Sequence, residues 1–188
     1  MAEEKKKKEV FLTTPSLVGK KMYLRTATAE DVVNFQKWRL LGEPQSMSCR
    51  MASLITPAQA AERYAKKEAP FDNLELAVVL KKDHILVGKA VSFDYNHLNR
   101  SAELGLIIDP DEHEKGYGKE ALHLLYKYLF KQRGLYKVYA QTAEFNKPAM
   151  KLLESLRFKK DATLRNHYFY DGSFHAGLIY SLLLSEFE

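Results

Sequence analysis

Cysteine is almost absent from this chain: Cys49 is the only one among 188 residues, so no internal disulfide is possible. A lone thiol fits a reducing compartment. No apolar run approaches the roughly 20 residues that span a bilayer. The charged N-terminus lacks the apolar segment of a signal peptide. The chain is therefore expected in the cytoplasm, with no membrane partner. The six histidines are scattered, and no Cys/His group has metal-ligand spacing, so no metal is expected. No low-complexity linker or internal repeat divides the chain.

What is present is ordinary for one globular domain: 46% hydrophobic and 28% charged residues. The net charge is +5, and Lys5 to Lys8 are largely offset by Glu3, Glu4 and Glu9. A mildly basic body suits an anionic partner, either a phosphorylated cofactor or nucleic acid. No nucleic-acid recognition motif is present and the aromatics fall at core-like periods, so a specific nucleic-acid partner is not expected. Residues 1–18 are expected to be a flexible charged tail and residues 19–188 a single domain.

Residues 21–25 alternate as a short strand does. Thr28 is placed to cap a helix, with Glu30 and Asp31 in its first turn. Gly42, Glu43 and Pro44 would end it. Thr56 and Pro57 start a second helix, to about residue 68. Three strands follow, at 74–80, 85–95 and 100–108, and short connections make them an antiparallel meander. Gly88 inside the second marks a bulge or a close approach. A helix over 116–131 presents Leu122, Leu125, Tyr126 and Leu129 on one face. A strand at 136–142 then implies a parallel crossover. Asn146 precedes a helix to about residue 156. Strands at 159–170 and 174–184 pair through an Asp171-Gly172 turn. The order describes a mixed α/β domain.

Residues 101–121, SAELGLIIDPDEHEKGYGKEA, organise the rest. A strand, a glycine-bearing turn and a helix N-terminus together make an anion site. On one reading the glycines only relieve crowding. On another, Gly116, Gly118 and Ala121 form a dinucleotide fingerprint. Against the latter, residues 109–115 intervene after the strand, and the upstream strands are antiparallel.

A third reading comes from a resemblance. His113-Glu114-Lys115-Gly116-Tyr117-Gly118 resembles the acetyl-CoA loop of the GNAT superfamily of N-acetyltransferases, Gln/Arg-x-x-Gly-x-Gly/Ala, with His113 in place of Gln/Arg. Residues 146–158 resemble that family's second marker. There Asn146, Ala149, Leu152, Glu154 and Phe158 match, while the family's Tyr falls on Leu153 and its Gly on Arg157. The similarity runs from about residue 19 to the C-terminus. It is strongest to the branch of ribosomal-protein N-terminal acetyltransferases and spermidine acetyltransferases.

The resemblance implies an α/β fold: a single GNAT-type domain with a mixed, mostly antiparallel central sheet, helices on both faces and a splayed parallel strand pair at the cofactor site. It implies acetyl-CoA as acyl donor, with no metal. The pantetheine arm would bond to the main chain of Leu106, Ile107 and Ile108. Pyrophosphate would lie on the loop formed by His113, Lys115, Gly116, Tyr117, Gly118 and Lys119. Asn146 would reach the arm, or cap its helix, or do both. Attack by an amine needs a base, assigned to Glu103, and the leaving thiolate needs a proton. Leu153 cannot supply that proton; Ser155, Tyr168 or a water could. No nucleophile motif accompanies Cys49, so direct attack in a ternary complex is expected.

In this family the acceptor pocket lies between the segment from Trp38 to Phe71 and the hairpin around Asp171. A polyamine site would want clustered acids. Here Glu43, Glu62, Glu68, Asp72 and Glu75 are interspersed with Arg63, Lys66 and Lys67. A protein or peptide N-terminus is the first expectation. The alternatives are a small amine (polyamine, amino sugar, amino acid or antibiotic) and a non-catalytic acyl-CoA sensor. A homodimer is compatible with either.

Overall fold

Strands form where Val, Leu, Ile and Tyr alternate or run together, and seven of them join one sheet. The computed structural model describes residues 14–41, 53–67 and 72–187. The Lys5–Lys8 run, the Gly42-Glu43-Pro44 stop, Cys49, Glu68 and Phe71 lie outside the described residues. The strands are β1 (Met22–Thr26), β2 (Leu74–Leu80), β3 (Leu86–Asn96), β4 (Ser101–Ile108), β5 (Lys137–Ala143), β6 (Lys159–Tyr170) and β7 (Ser173–Leu183). Their order across the sheet is β1-β2-β3-β4-β5-β7-β6. Every neighbouring pair is antiparallel except β4 with β5.

The helices are α1 (Ala29–Leu40), α2 (Pro57–Ala65), α3 (Tyr117–Gln132), α4 (Lys147–Ser155) and the short α5 (Leu184–Phe187). Alternation along the strands sends side chains to two cores. On one face Met22, Leu24, Leu76, Val78, Ala102 and Leu104 pack with Leu122, Leu125 and Leu129 of α3. On the other, Tyr23, Ala77 and Val79 pack with Phe35 and Trp38 of α1 and Tyr64 of α2. The sheet is thus covered on both faces, as expected.

Two capping boxes fix the helices of the second face. Thr28 accepts from the Asp31 N–H while Asp31 accepts from the Thr28 N–H, and Thr56 and Gln59 repeat the arrangement. A cap of this kind is worth about 1 kcal/mol. Asp31 also takes both Arg25 guanidinium nitrogens, at 2.5 and 2.9 Å. Burial works against the Asp31 carboxylate, but Arg25 and Thr28 outweigh it and hold its pKa below the ordinary value. This pair ties the start of α1 to β1. The second helix is shorter than expected, ending at Ala65.

Gly88 combines both expected roles. The register between β2 and β3 shifts at Val78/Val79, opposite it. A Cβ on Gly88 would stand 2.7 Å from the Ile107 carbonyl oxygen.

Candidate active site

The parallel pairing of β4 and β5 covers only Ser101↔Lys137, Ala102↔Val138 and Glu103↔Tyr139. Beyond Glu103, β4 stays with β3 as far as Gly88↔Ile108, and β5 stays with β7 as far as Ala143↔Gly177. The two strands therefore diverge into a V. The edge of β4 that faces it, through Leu106 and Ile107, has no ladder partner there. Backbone N–H and C=O groups so placed demand a partner. An extended amide-bearing chain satisfies them as an added strand would.

At the wide end of the V the chain turns through a 3-10 segment, Pro110–Glu112, into α3. Glu114 and Gly116 both take left-handed conformations, at φ +61° and +80°. Gly116 is the N-cap of α3 and supplies no side-chain cap. The first N–H groups of α3 thus keep their outward direction, beside the positive end of a 16-residue helix. The two glycines do different work. A Cβ on Gly116 would meet nothing within 4 Å, so its role is the left-handed turn. A Cβ on Gly118 would sit 3.1 Å from Leu106 and 3.5 Å from Leu152, so its role is to seat α3 on β4 and α4.

Two of the side chains expected on this loop, His113 and Lys115, are already engaged. His113 Nε2 donates to the Ile108 carbonyl at 3.1 Å, which closes the loop onto β4 and occupies that carbonyl. Lys115 pairs with Glu112 at 2.9 Å and donates to the Asp111 carbonyl at 3.3 Å. The hydrogen bond to Glu112 raises its pKa. Lys119 points to a separate cavity of about 230 Å³, with His123, Tyr126, Ser155, Arg157 and Phe187. What the loop presents is main chain.

Glu103 stands where the V begins, with only 7% of its surface exposed. Gln141 Nε2 donates to its Oε2 at 3.1 Å. On β5 beside it, the Tyr139 hydroxyl donates to Asp94. Burial, that hydrogen bond and the charges of Asp94 and Glu103 push the Tyr139 pKa far up, so it stays a neutral donor. Gln141 and Tyr139 escaped the sequence reading. The signal for them was the parallel register: residues two apart on β5 face the same side as Glu103.

Ser155 is not brought to this place. Its hydroxyl donates to the Leu152 carbonyl of its own helix at 2.8 Å, and it lines the cavity that holds Lys119, which contains no residue of β4 or β5. The helix turn that buries Leu153 carries Ser155 outward. Asn146 caps α4, its Oδ1 accepting from the Ala149 N–H at 3.1 Å. Tyr168 stacks edge-on against His167.

The face of the sheet under α1 and α2 carries a second charged group. Lys89 Nζ pairs with Glu75 and lies 5.2 Å from the centre of the Phe35 ring. Lys67 Nζ is 4.0 Å from the other Glu75 oxygen. Burial, reinforced by Arg39 and Lys67, lowers the Lys89 pKa in spite of Glu75.

This geometry has known counterparts. Residues 21–159 match the family model described as the acetyltransferase (GNAT) domain, and the chain belongs to that family. It is an acyltransferase. It is 26% identical over 171 residues to the SPbeta prophage-derived uncharacterized N-acetyltransferase YokL of Bacillus subtilis (strain 168), covering 90% of this chain and 94% of that one. It is 29% identical over 104 residues to the spermidine N(1)-acetyltransferase of Vibrio cholerae serotype O1, covering 55% of this chain and 60% of that one. The crystal structure of spermidine N-acetyltransferase from Vibrio cholerae in complex with CoA and spermine shares the fold. Its TM-score is 0.82 at 22% identity, with 89% of this chain and 98% of that chain covered. Among the described residues, no helix is long and apolar enough to cross a membrane, and no group of three or more His, Cys, Asp or Glu could hold a metal ion.

Proposed function

We propose that this acetyltransferase moves the acetyl group of acetyl-CoA to the primary amine of a small molecule by direct attack in a ternary complex in the cytoplasm. The observation that carries the reading is the end of parallel pairing at Glu103↔Tyr139, which opens a V beside a buried carboxylate. The pantetheine arm lies in the V against the main chain of Leu106 and Ile107. The pyrophosphate sits on the α3 N-terminus at Gly116, Tyr117, Gly118 and Lys119. Asn146, fixed as a cap, borders the arm.

In the reaction the amine nitrogen bonds to the thioester carbon and the C–S bond breaks. Glu103, held by Gln141, takes the proton that the amine loses, directly or through a water. The CoA thiolate is protonated from solvent, since neither Leu153 nor Ser155 is disposed to do so. Much of the acceleration is positional.

The relatives whose names state an acceptor are spermidine acetyltransferases, which favours a small amine over the protein N-terminus expected from the sequence. Calorimetry with acetyl-CoA, followed by thiol release with small amines and N-terminal peptides, tests the proposal. Binding, and faster release with a small amine, are expected. No acetyl-CoA binding overturns the reading; release only with peptides replaces its acceptor.

A further inference from the structure

The acceptor-side face of the sheet is charged in a way that does not suit a polycation. Lys89, Val91 and Phe93 alternate onto one face of β3, opposite Ile107, Gly105 and Glu103 of β4. Lys89 and Glu103 thus share a face. They are four residues apart along it, about 13 Å at ~3.3 Å per residue. At the Glu103 end two carboxylates, Glu103 and Asp94, flank the Tyr139 side chain. At the Lys89 end the sign reverses.

There the two acids described on this face, Asp31 and Glu75, are spoken for. Asp31 holds Arg25 in a two-pronged pair. Glu75 is shared between Lys89 and Lys67. Arg39 lies one turn beyond Phe35 on α1, the residue whose ring faces Lys89 Nζ. It is half-buried and makes no ion pair or hydrogen bond among the described residues. Two cations thus share one carboxylate, and Arg39 adds a third positive charge within electrostatic reach of Lys89. A Lys89–Glu75 pair needs no further cation for stability, and Arg39 and Lys67 work against the buried ammonium. Concentrating like charge at a partly desolvated spot is unfavourable in the empty protein and favourable once an anion arrives.

Resting on the small-amine reading above, we propose that the acceptor is dipolar. It carries its reactive amine at the Glu103 end and an anionic group, carboxylate or phosphate, at the end engaged by Arg39 and Lys67 over Lys89. A polyamine would bring its second ammonium to that same cluster and be repelled.

The test uses matched six-carbon amines with the full chain and saturating acetyl-CoA: aminocaproate, aminohexyl phosphate, hexamethylenediamine and hexylamine. The readout is kcat/KM by thiol release. The anionic amines should exceed the diamine by about tenfold or more, a difference of ~1.4 kcal/mol. The better of the two identifies the anion. Arg39→Glu and Lys67→Glu, made separately so that one misfolded variant does not decide the matter, should each lower the ratio of anionic amine to diamine. A wild-type preference for the diamine overturns this inference, as does a ratio unmoved by both reversals. Turnover of hexylamine with no preference among the charged probes overturns it while leaving the small-amine reading intact. No turnover of any amine overturns both.

Discussion

The two halves of the proposed site are built by opposite means. The cofactor half is contiguous, from Ser101 to Gly118, and offers mainly main chain: an unpaired strand edge, a left-handed turn at Gly116 and the uncapped N-terminus of α3. The proposed acceptor half is assembled from α1, the chain just after α2, β2 and β3 and offers side chains: Arg39, Lys67, Glu75 and Lys89. Main chain recognises what every acyl-CoA has in common, an amide-bearing arm and phosphates. On the proposed reading, side chains from scattered elements set which amine is accepted.

That division can be broken at either end. The largest effect is expected from Gly118→Leu. Its side chain would push Leu106 and Leu152 apart and shift the start of α3, raising the acetyl-CoA KM by about 100-fold. Steady-state kinetics at fixed amine measures it, and an unchanged KM would detach the loop from the cofactor. Next comes Asp31→Asn, which removes the carboxylate charge that two Arg25 guanidinium nitrogens grip. A loss of about 3 kcal/mol is expected in urea unfolding. The effect has a defined pH course. Because the folded pKa of Asp31 is depressed, its stabilisation is complete above the ordinary carboxylate pKa and is lost as pH falls through the folded value. The variant's stability should therefore fall less steeply in acid than that of wild type.

Gln141→Leu removes the donor that orients Glu103 without removing the carboxylate. A fall in kcat of about tenfold is expected, with a shift of the acidic limb of the pH–rate profile. A purely structural role would leave that limb in place. The smallest effect should come from Lys115→Ala. Its side chain is committed to Glu112 and Asp111. Acetyl-CoA affinity should therefore change by less than about threefold, as for an exposed ion pair.

How far the sequence could be read follows the same division. The strands at Leu74–Leu80 and Lys159–Tyr170 have the expected bounds, and the Thr28 and Asn146 caps are where their residue types put them. These are local decisions of propensity and capping. The Gly116–Gly118 turn was legible because its chemistry lies within one short stretch. Its side chains were not: nothing local shows that His113 folds back onto Ile108, or that Lys115 prefers Glu112 to a ligand. Ser155 was misplaced because two residues of helix reverse its direction relative to Leu153. The partners of Glu103 needed the register of a strand about 35 residues away. Lys67 and Glu75 looked like interspersed charge until the pairing of β2 with β3 set Lys89 beside Glu75.

The most direct test of the central claim is the single-turnover rate of acetyl transfer by Glu103→Gln, measured beside its acetyl-CoA affinity. If the V opens onto Glu103 as the base, the rate falls by about 100-fold or more, while the dissociation constant for acetyl-CoA stays within about twofold of wild type. A rate that survives the substitution, with affinity intact, would contradict the assignment and place the proton acceptor elsewhere on the face.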